Sequence, residues 1–274
     1  MKKPPVRKSI HGRHLGILDD EKLASAGGFI SGWPDKDVQV VMPGSNKHAA
    51  IWDDFMGDLL ADEWAPQDGT DTGAKATQAI TAYTNGVVSV ASNTALGDSG
   101  GVSGITGELN WKANQGALRF AARVKLPAIT AVNAFLGLTD AKAAEPPFFE
   151  DSGTATRVSN ATDGEGFLFS TQNSKTLWQA VGVSNNTDGT LDTGGARPLA
   201  APVANVYETF EILLDTGGDA DFYQNGKHVG SMPDAARPTI ALAPAFMVYS
   251  LTAGTQRILD VDWVNVSANR DTGT

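Results

Sequence analysis

Along much of this chain apolar and polar residues alternate with a period of two. In residues 118–126, Leu118, Phe120, Ala122, Val124 and Leu126 alternate with Arg119, Ala121, Arg123 and Lys125. A strand with one face on a core and the other toward water gives that pattern. Residues 207–214 repeat it: Tyr207, Thr209, Glu211 and Leu213 fall on one side, and Glu208, Phe210, Ile212 and Leu214 on the other. In residues 219–231, Ala220, Phe222 and Gln224 alternate with Asp221 and Tyr223 up to Asn225-Gly226. Asn-Gly tolerates positive φ at both turn positions, so it predicts a two-residue type I′ hairpin at this point.

The same reading places further strands at 76–84, 86–92, 107–113, 116–126, 132–139, 165–170, 176–183, 206–215, 220–224, 227–231, 239–252 and 256–268. Turn residues separate them and no helical runs intervene, which points to an all-β sandwich. The stretch 51–64 differs, because Ile51, Trp52, Phe55, Leu59 and Leu60 share a face at helical spacing, with Gly57 weakening a long helix. Residues 1–50 show no sustained period and are broken by Pro4-Pro5, Gly27-Gly28, Trp33-Pro34 and Pro43-Gly44. They read as an extended N-terminal arm with one short helix at 19–26, and residues 51–274 as the sandwich domain. An arm of that length makes most sense laid on a neighbour. The long polar segments 141–164 and 184–202 are expected to be binding or contact loops.

Charge refines this picture. The chain carries a net charge of −10, yet Lys2, Lys3, Arg7, Lys8 and Arg13 stand in residues 1–18 without an acid, leaving −10 − 5 = −15 for the rest. An acidic body argues against a specific nucleic-acid groove. The basic segment would touch nucleic acid or an acidic neighbouring protein, or serve as a solubilising terminus. There is no Cys, so disulfides and thiolate metal sites are excluded. No apolar run is long enough to span a membrane, and the basic N-terminus lacks the apolar segment of an export signal.

Candidate chemistry is sparse. Gly97-Asp98-Ser99-Gly100-Gly101 resembles the nucleophile loop of chymotrypsin-like serine proteases, but only His11, His14 and His48 precede it, and none lies in that family's histidine pattern. A Gly-rich surface turn is the expected reading. Asp260 and Asp262, two apart on one strand, would share a face, but the Glu-x-Asp-x-x-Glu pattern of concanavalin-like glycosidases adds a third acid, and here none follows, with Trp263 and Val264 in the next positions. Asp151, Asp163, Glu165, Asp188 and Asp192 are candidate calcium ligands without a compact ligand loop; solvated polar loops account for them. The four His have no zinc spacing, and no cofactor is expected. For sugar stacking the aromatics considered are Trp33, Trp111, Trp178 and Tyr223, with Trp111 and Trp178 expected in the core. Phe148-Phe149, after Pro146-Pro147, reads as a hydrophobic loop tip for a protein contact, or as a loop tucked onto the sandwich.

Two resemblances follow from these residues. The tight Asn225-Gly226 hairpin and the two long runs after it resemble the C-terminal part of concanavalin-like jelly rolls of laminin-G, pentraxin and legume-lectin type. Asp53-Asp54-Phe55, Gly57-Asp58, Leu60, Asp62 and Trp64 resemble the phrase that opens concanavalin-like domains in bacteriophage structural proteins, where the Trp begins the first strand. The resemblance implies a concanavalin-like jelly-roll β-sandwich with an extended N-terminal arm. It also implies a non-enzymatic capsid decoration (cement) protein on the virion, binding the major capsid protein and itself as a homotrimer. Lys2, Lys3, Arg7, Lys8, Arg13 and Trp33 would then be the arm contacts, with Phe148 and Phe149 as a further loop contact. The alternative is a carbohydrate-binding module of a phage tail or fibre, or a free lectin, with a glycan as partner.

Overall fold

The computed structural model describes residues 8–10, 13–15, 29–30, 40–41, 48–55, 64–68, 86–92, 102–116, 118–141, 148–151, 157–172, 175–192 and 199–269. In the N-terminal segment, β1 (Lys8–Ile10) pairs with β2 (Arg13–Leu15), and β3 (Phe29–Ile30) with β4 (Val40–Val41), both antiparallel. The helix expected at 19–26, the strand expected at 76–84 and the Gly97–Gly101 turn lie outside the described residues, as do Lys2, Lys3, Arg7 and Trp33.

The sandwich starts at β5 (His48–Asp53) and β6 (Ala65–Asp68), followed by β7 (Val88–Ala91), β8 (Ser103–Thr106), β9 (Leu118–Lys125) and β10 (Val132–Thr139). A short hairpin of β11 (Phe149–Asp151) and β12 (Arg157–Ser159) precedes β13 (Gly164–Ser170), β14 (Gln179–Ser184) and β15 (Thr187–Asp188). The chain closes with β16 (Tyr207–Leu214), β17 (Ala220–Gln224), β18 (Lys227–Met232), β19 (Ala243–Ser250) and β20 (Ile258–Asn269). One seven-stranded sheet runs in the order β15-β14-β13-β10-β19-β8-β6. The other runs β18-β17-β16-β9-β20-β5, with β7 pairing the first part of β20 and β5 its last part along the same edge.

The helical spacing read in 51–64 is overruled at its start. Ile51, Trp52 and Asp53 lie in β5, paired with Val266, Asn265 and Val264. Period two is also present in this stretch, and pairing with the long β20 decides between the two periods. The residues around this strand end tie it down. Asp53 accepts from the Phe55 amide (2.7 Å) and from Trp64 Nε1 (2.9 Å). One carboxylate thereby joins the end of β5 to the residue that begins β6, and the Trp64 ring packs on Phe55 and Phe246 in the core. The strand expected at 107–113 falls instead at 103–106, with a short turn of 3-10 helix at Ala113–Gln115 behind it.

The main core lies between the sheets. Leu118, Phe120, Ala122 and Val124 of β9 meet Ala134, Leu136, Phe167 and Phe246 of the facing sheet. Burying one such Phe contributes roughly 1.5–3 kcal/mol. Trp111 and Trp178 are both in this core, as expected, although Trp111 lies beyond the end of β8 and Trp178 just before β14. The Asn225-Gly226 turn has positive φ at both residues (52° and 70°), and Asn225 Oδ1 accepts from the Thr209 amide at 2.9 Å, pinning the hairpin to β16.

A second core sits on the outer face of the β10-containing sheet. There Phe135, Leu168, Val181, Val183, Met247 and Tyr249 are covered by Phe148, Phe149 and Ala161. Phe148 and Phe149 are both fully buried, with ring centroids 5.9 and 5.0 Å from that of Phe135. The expected hydrophobic tip is therefore no contact surface. Rings this apolar gain more from the exposed sheet face beside them than from water. Gly166 makes the cover possible, since a Cβ there would collide with the Phe135 ring.

Candidate functional site

Among the described residues, the outer face of the other sheet has no such cover. Its central strands point a ladder of charges outward. Arg119 Nε donates to Glu211 Oε1 at 2.5 Å, Arg123 Nη1 to Asp262 Oδ2 at 2.7 Å, and Lys125 Nζ lies 3.0 Å from Asp260 Oδ2. Asp260 also accepts from Ser89 Oγ at 2.5 Å. The Tyr207 ring lies across from the cations, 4.5 Å from the Arg123 guanidinium carbon and 4.9 Å from Lys125 Nζ. Burial alone would push the Lys125 ammonium down, but its hydrogen bond and charge attraction to Asp260 outweigh this and raise it.

Next to the ladder, Trp52 of β5 stacks on Trp263 of β20, with centroids 5.4 Å apart and planes 19° from parallel. Trp52 is 41% exposed, a high value for so large an apolar ring. Both rings reach this face because β20 contains a bulge. The register advances from Val124↔Val261 to Arg123↔Trp263, leaving Asp262 as the extra residue. The sequence carries the mark of it: buried apolar residues fall at odd positions (Leu259, Val261) before the bulge and at even ones (Val264, Val266, Ala268) after it. That change of phase is the signal by which Trp263 could be assigned to the outer face without coordinates.

Asp260 and Asp262 both lie in this face, but each is spent on a cation. At the sheet edge Ser231, His228 and Asp221 also approach one another. Ser231 Oγ and His228 Nε2 both meet the same Asp221 Oδ1, at 2.5 and 3.3 Å, and Ser231 lies 3.3 Å from that same ring nitrogen. A relay needs the Asp on one ring nitrogen and the Ser on the other, so this is a polar cluster.

The calcium candidates are dispersed. Asp151 is buried against Lys175 and Gln179, Asp163 is held by Arg237 through a two-pronged contact, and Asp188 accepts from Ser159. The expectation of solvated loops fails for Asp151 and Asp163, both fully buried and paired. Among the described residues no cluster of three or more His, Cys, Asp or Glu side chains is placed to hold a metal. Glu165 is different again: it lies between the sheets with neither carboxylate oxygen hydrogen-bonded among the described residues. Burial, and then the charge of Asp163, push its carboxyl well above the ordinary range. Glu208, also buried, is raised by burial although Trp178 Nε1 (3.0 Å) and Gln224 Nε2 (2.9 Å) donate to it.

Sequence reasoning found the alternation of β9 and β16 but did not bring Arg119, Arg123, Lys125, Tyr207 and Glu211 together with Trp52 and Trp263. Of the described aromatics among the sugar-stacking candidates, Tyr223 is near this surface, its centroid 5.1 Å from that of the His228 ring, while Trp111 and Trp178 are in the core. Of the arm residues, only the backbones of Lys8 and Arg13 are described, in the β1–β2 ladder.

The architecture defines the chain as an all-β concanavalin-like sandwich. It is similar to the carbohydrate recognition domain of Emp47p (TM-score 0.56, 9% identity, covering 82% of this chain and 96% of that one). It is also similar to a Bacillus licheniformis β-glucanase (TM-score 0.52, 12% identity, 79% and 97%) and to a native glycosidic hydrolase (TM-score 0.52, 14% identity, 79% and 94%). At such identities the likeness is one of fold. No family model matches the sequence, and no curated protein matches it by sequence.

Proposed function

We propose that the sandwich is a non-catalytic carbohydrate-binding module whose open sheet face lies along a neutral glycan. One observation carries this reading: the uncovered face combines an exposed, stacked Trp52–Trp263 pair with a ladder of fixed hydrogen-bonding groups. A sugar ring offers an apolar face to an aromatic ring and hydroxyls to charged and amide groups. Each cation of the ladder already has an acid, so the face has little net attraction for an acidic glycan. Lectin and glycosidase neighbours of the same fold support a carbohydrate role. The test is a glycan array followed by titration with the best neutral oligosaccharide. Trp52→Ala is expected to weaken binding at least about tenfold. A wild-type chain that binds no glycan would sink the proposal.

A second reading rests on the charge split of the chain, with five bases and no acid in residues 1–18 and a net −15 beyond. In it the protein decorates a phage head as a trimer, the basic arm lying on acidic major capsid protein. Deleting residues 1–45 would then release the protein from particles; unchanged particle binding would remove the arm from this reading.

A further inference from the structure

At one end of the sandwich a cleft of about 770 Å³ opens between the β9–β10 turn, the end of β13 and the segment leading into β16. It is separate from the charged ladder. Its floor is apolar, made by Ile129, Ala131, Phe169, Pro202 and Leu251. Leu177 and Val203, which follow the lining residues Thr176 and Pro202 in the chain, are among the large hydrophobic side chains exposed to solvent in the described residues. An apolar recess flanked by such residues is the usual character of a small-molecule site, and its size suits a drug-sized ligand.

The polar groups of the wall narrow the chemistry. The Thr130 and Thr176 hydroxyls and the Gln172 amide line the cleft, and among the described residues their side chains make no hydrogen bond. They are three unspent groups above an apolar floor. Of the described lining residues, Lys175 alone is charged. Its ammonium donates to the fully buried Asp151 (2.5 Å) and to Gln179 Oε1 (3.1 Å). An anionic ligand would have to compete with a carboxylate whose cation among the described residues is Lys175, and a cationic ligand would meet Lys175 itself.

We infer that this cleft binds a neutral small molecule with an apolar body and a hydroxyl or amide group, the body on Phe169 and Leu251 and the polar group at Gln172, Thr130 and Thr176. Nothing in this inference depends on the glycan reading of the open face.

The experiment is a fluorescence titration of the full chain with Nile red, a neutral apolar dye with a carbonyl acceptor, followed by displacement with decanol, decanoate and decylammonium. Saturable binding of one dye per chain is expected, with decanol displacing it at least about tenfold more effectively than either charged amphiphile. Ala201→Trp, at an exposed lining position, should block the cleft and weaken the dye at least about tenfold with an unchanged melting temperature. Should that variant fold poorly, Thr176→Trp, also exposed, serves the same purpose. Trp52→Ala should leave dye binding unchanged. No saturable binding, equal binding by a folded blocked variant, or equal displacement by the charged amphiphiles would each overturn the inference.

Discussion

The two sheets of this sandwich have outer faces of opposite character. One presents Phe135, Leu168, Val181, Met247 and Tyr249, and the chain returns over it with Phe148 and Phe149 to build a second dry core. The other presents Arg119, Arg123, Lys125, Tyr207, Glu211, Asp260 and Asp262, and nothing described covers it. The strands have the same backbone geometry and inner faces that share one core. What separates them is the residue type at alternate positions. Apolar positions make exposure of the sheet costly and recruit a cover; paired charges make it stable in water and leave it free to meet a ligand. The open face is thus the surface on which function is to be sought, and the covered face is where stability resides.

Mutations break this comparison most sharply on the covered side. Phe149→Ala removes a fully buried ring from the second core and should cost about 3–5 kcal/mol, read from the midpoint of urea unfolding. Trp52→Ala on the open face removes a ring of similar size and should cost only about 1 kcal/mol, while glycan binding falls. Equal destabilisation by the two would show that the open face is structural.

The interior supplies the next test, because among the described residues Glu165 has no cation, whereas every acid of the open ladder has one. With its carboxyl raised by burial, the folded chain keeps the proton while the unfolded chain loses it in the ordinary glutamate range. This contribution to stability is complete below that range and is lost as pH rises toward the folded-state value. Glu165→Gln should therefore raise the melting temperature by a few degrees at pH ~8 and leave it unchanged near pH ~4. A pH-independent effect would mean that Glu165 is ionised in the fold.

The smallest effect belongs to the ladder itself. Arg123→Met breaks the half-exposed pair with Asp262 and should change stability by no more than about 1 kcal/mol, an amount that shrinks in high salt. The same variant should weaken binding of a glycan that hydrogen-bonds to this guanidinium. A thermal melt and one titration decide both.

Legibility followed the range of the forces involved. Period two in residues 118–125 and 207–214 reports a half-buried strand through neighbours along the chain, so β9 and β16 could be read directly. Asn225-Gly226 fixed its turn through backbone sterics alone. β10 and β19 are buried at every position, and for them alternation says nothing about which side is which. Phe148-Phe149 looked like an exposed tip because its partner, Phe135, lies on another strand. The site was harder still. Tyr207, Arg123 and Trp263 stand on three strands that only sheet order brings side by side, and the bulge at Asp262 moves Trp263 and Asp262 by one residue relative to simple alternation.

By itself, then, the sequence determined an all-β sandwich, its principal hairpin, the polar alternation of its open sheet and the uneven charge of the chain, since each is set by local sterics or by burial along one strand. Tertiary structure alone decided that one sheet would be capped while nothing described covers the other, that two tryptophans would stack, and that Asp260 and Asp262 would each be neutralised by a different cation. Those outcomes depend on which strands pair across the sheet and on where one bulge shifts the register, and pairing between distant segments is won by the summed packing of the whole sandwich.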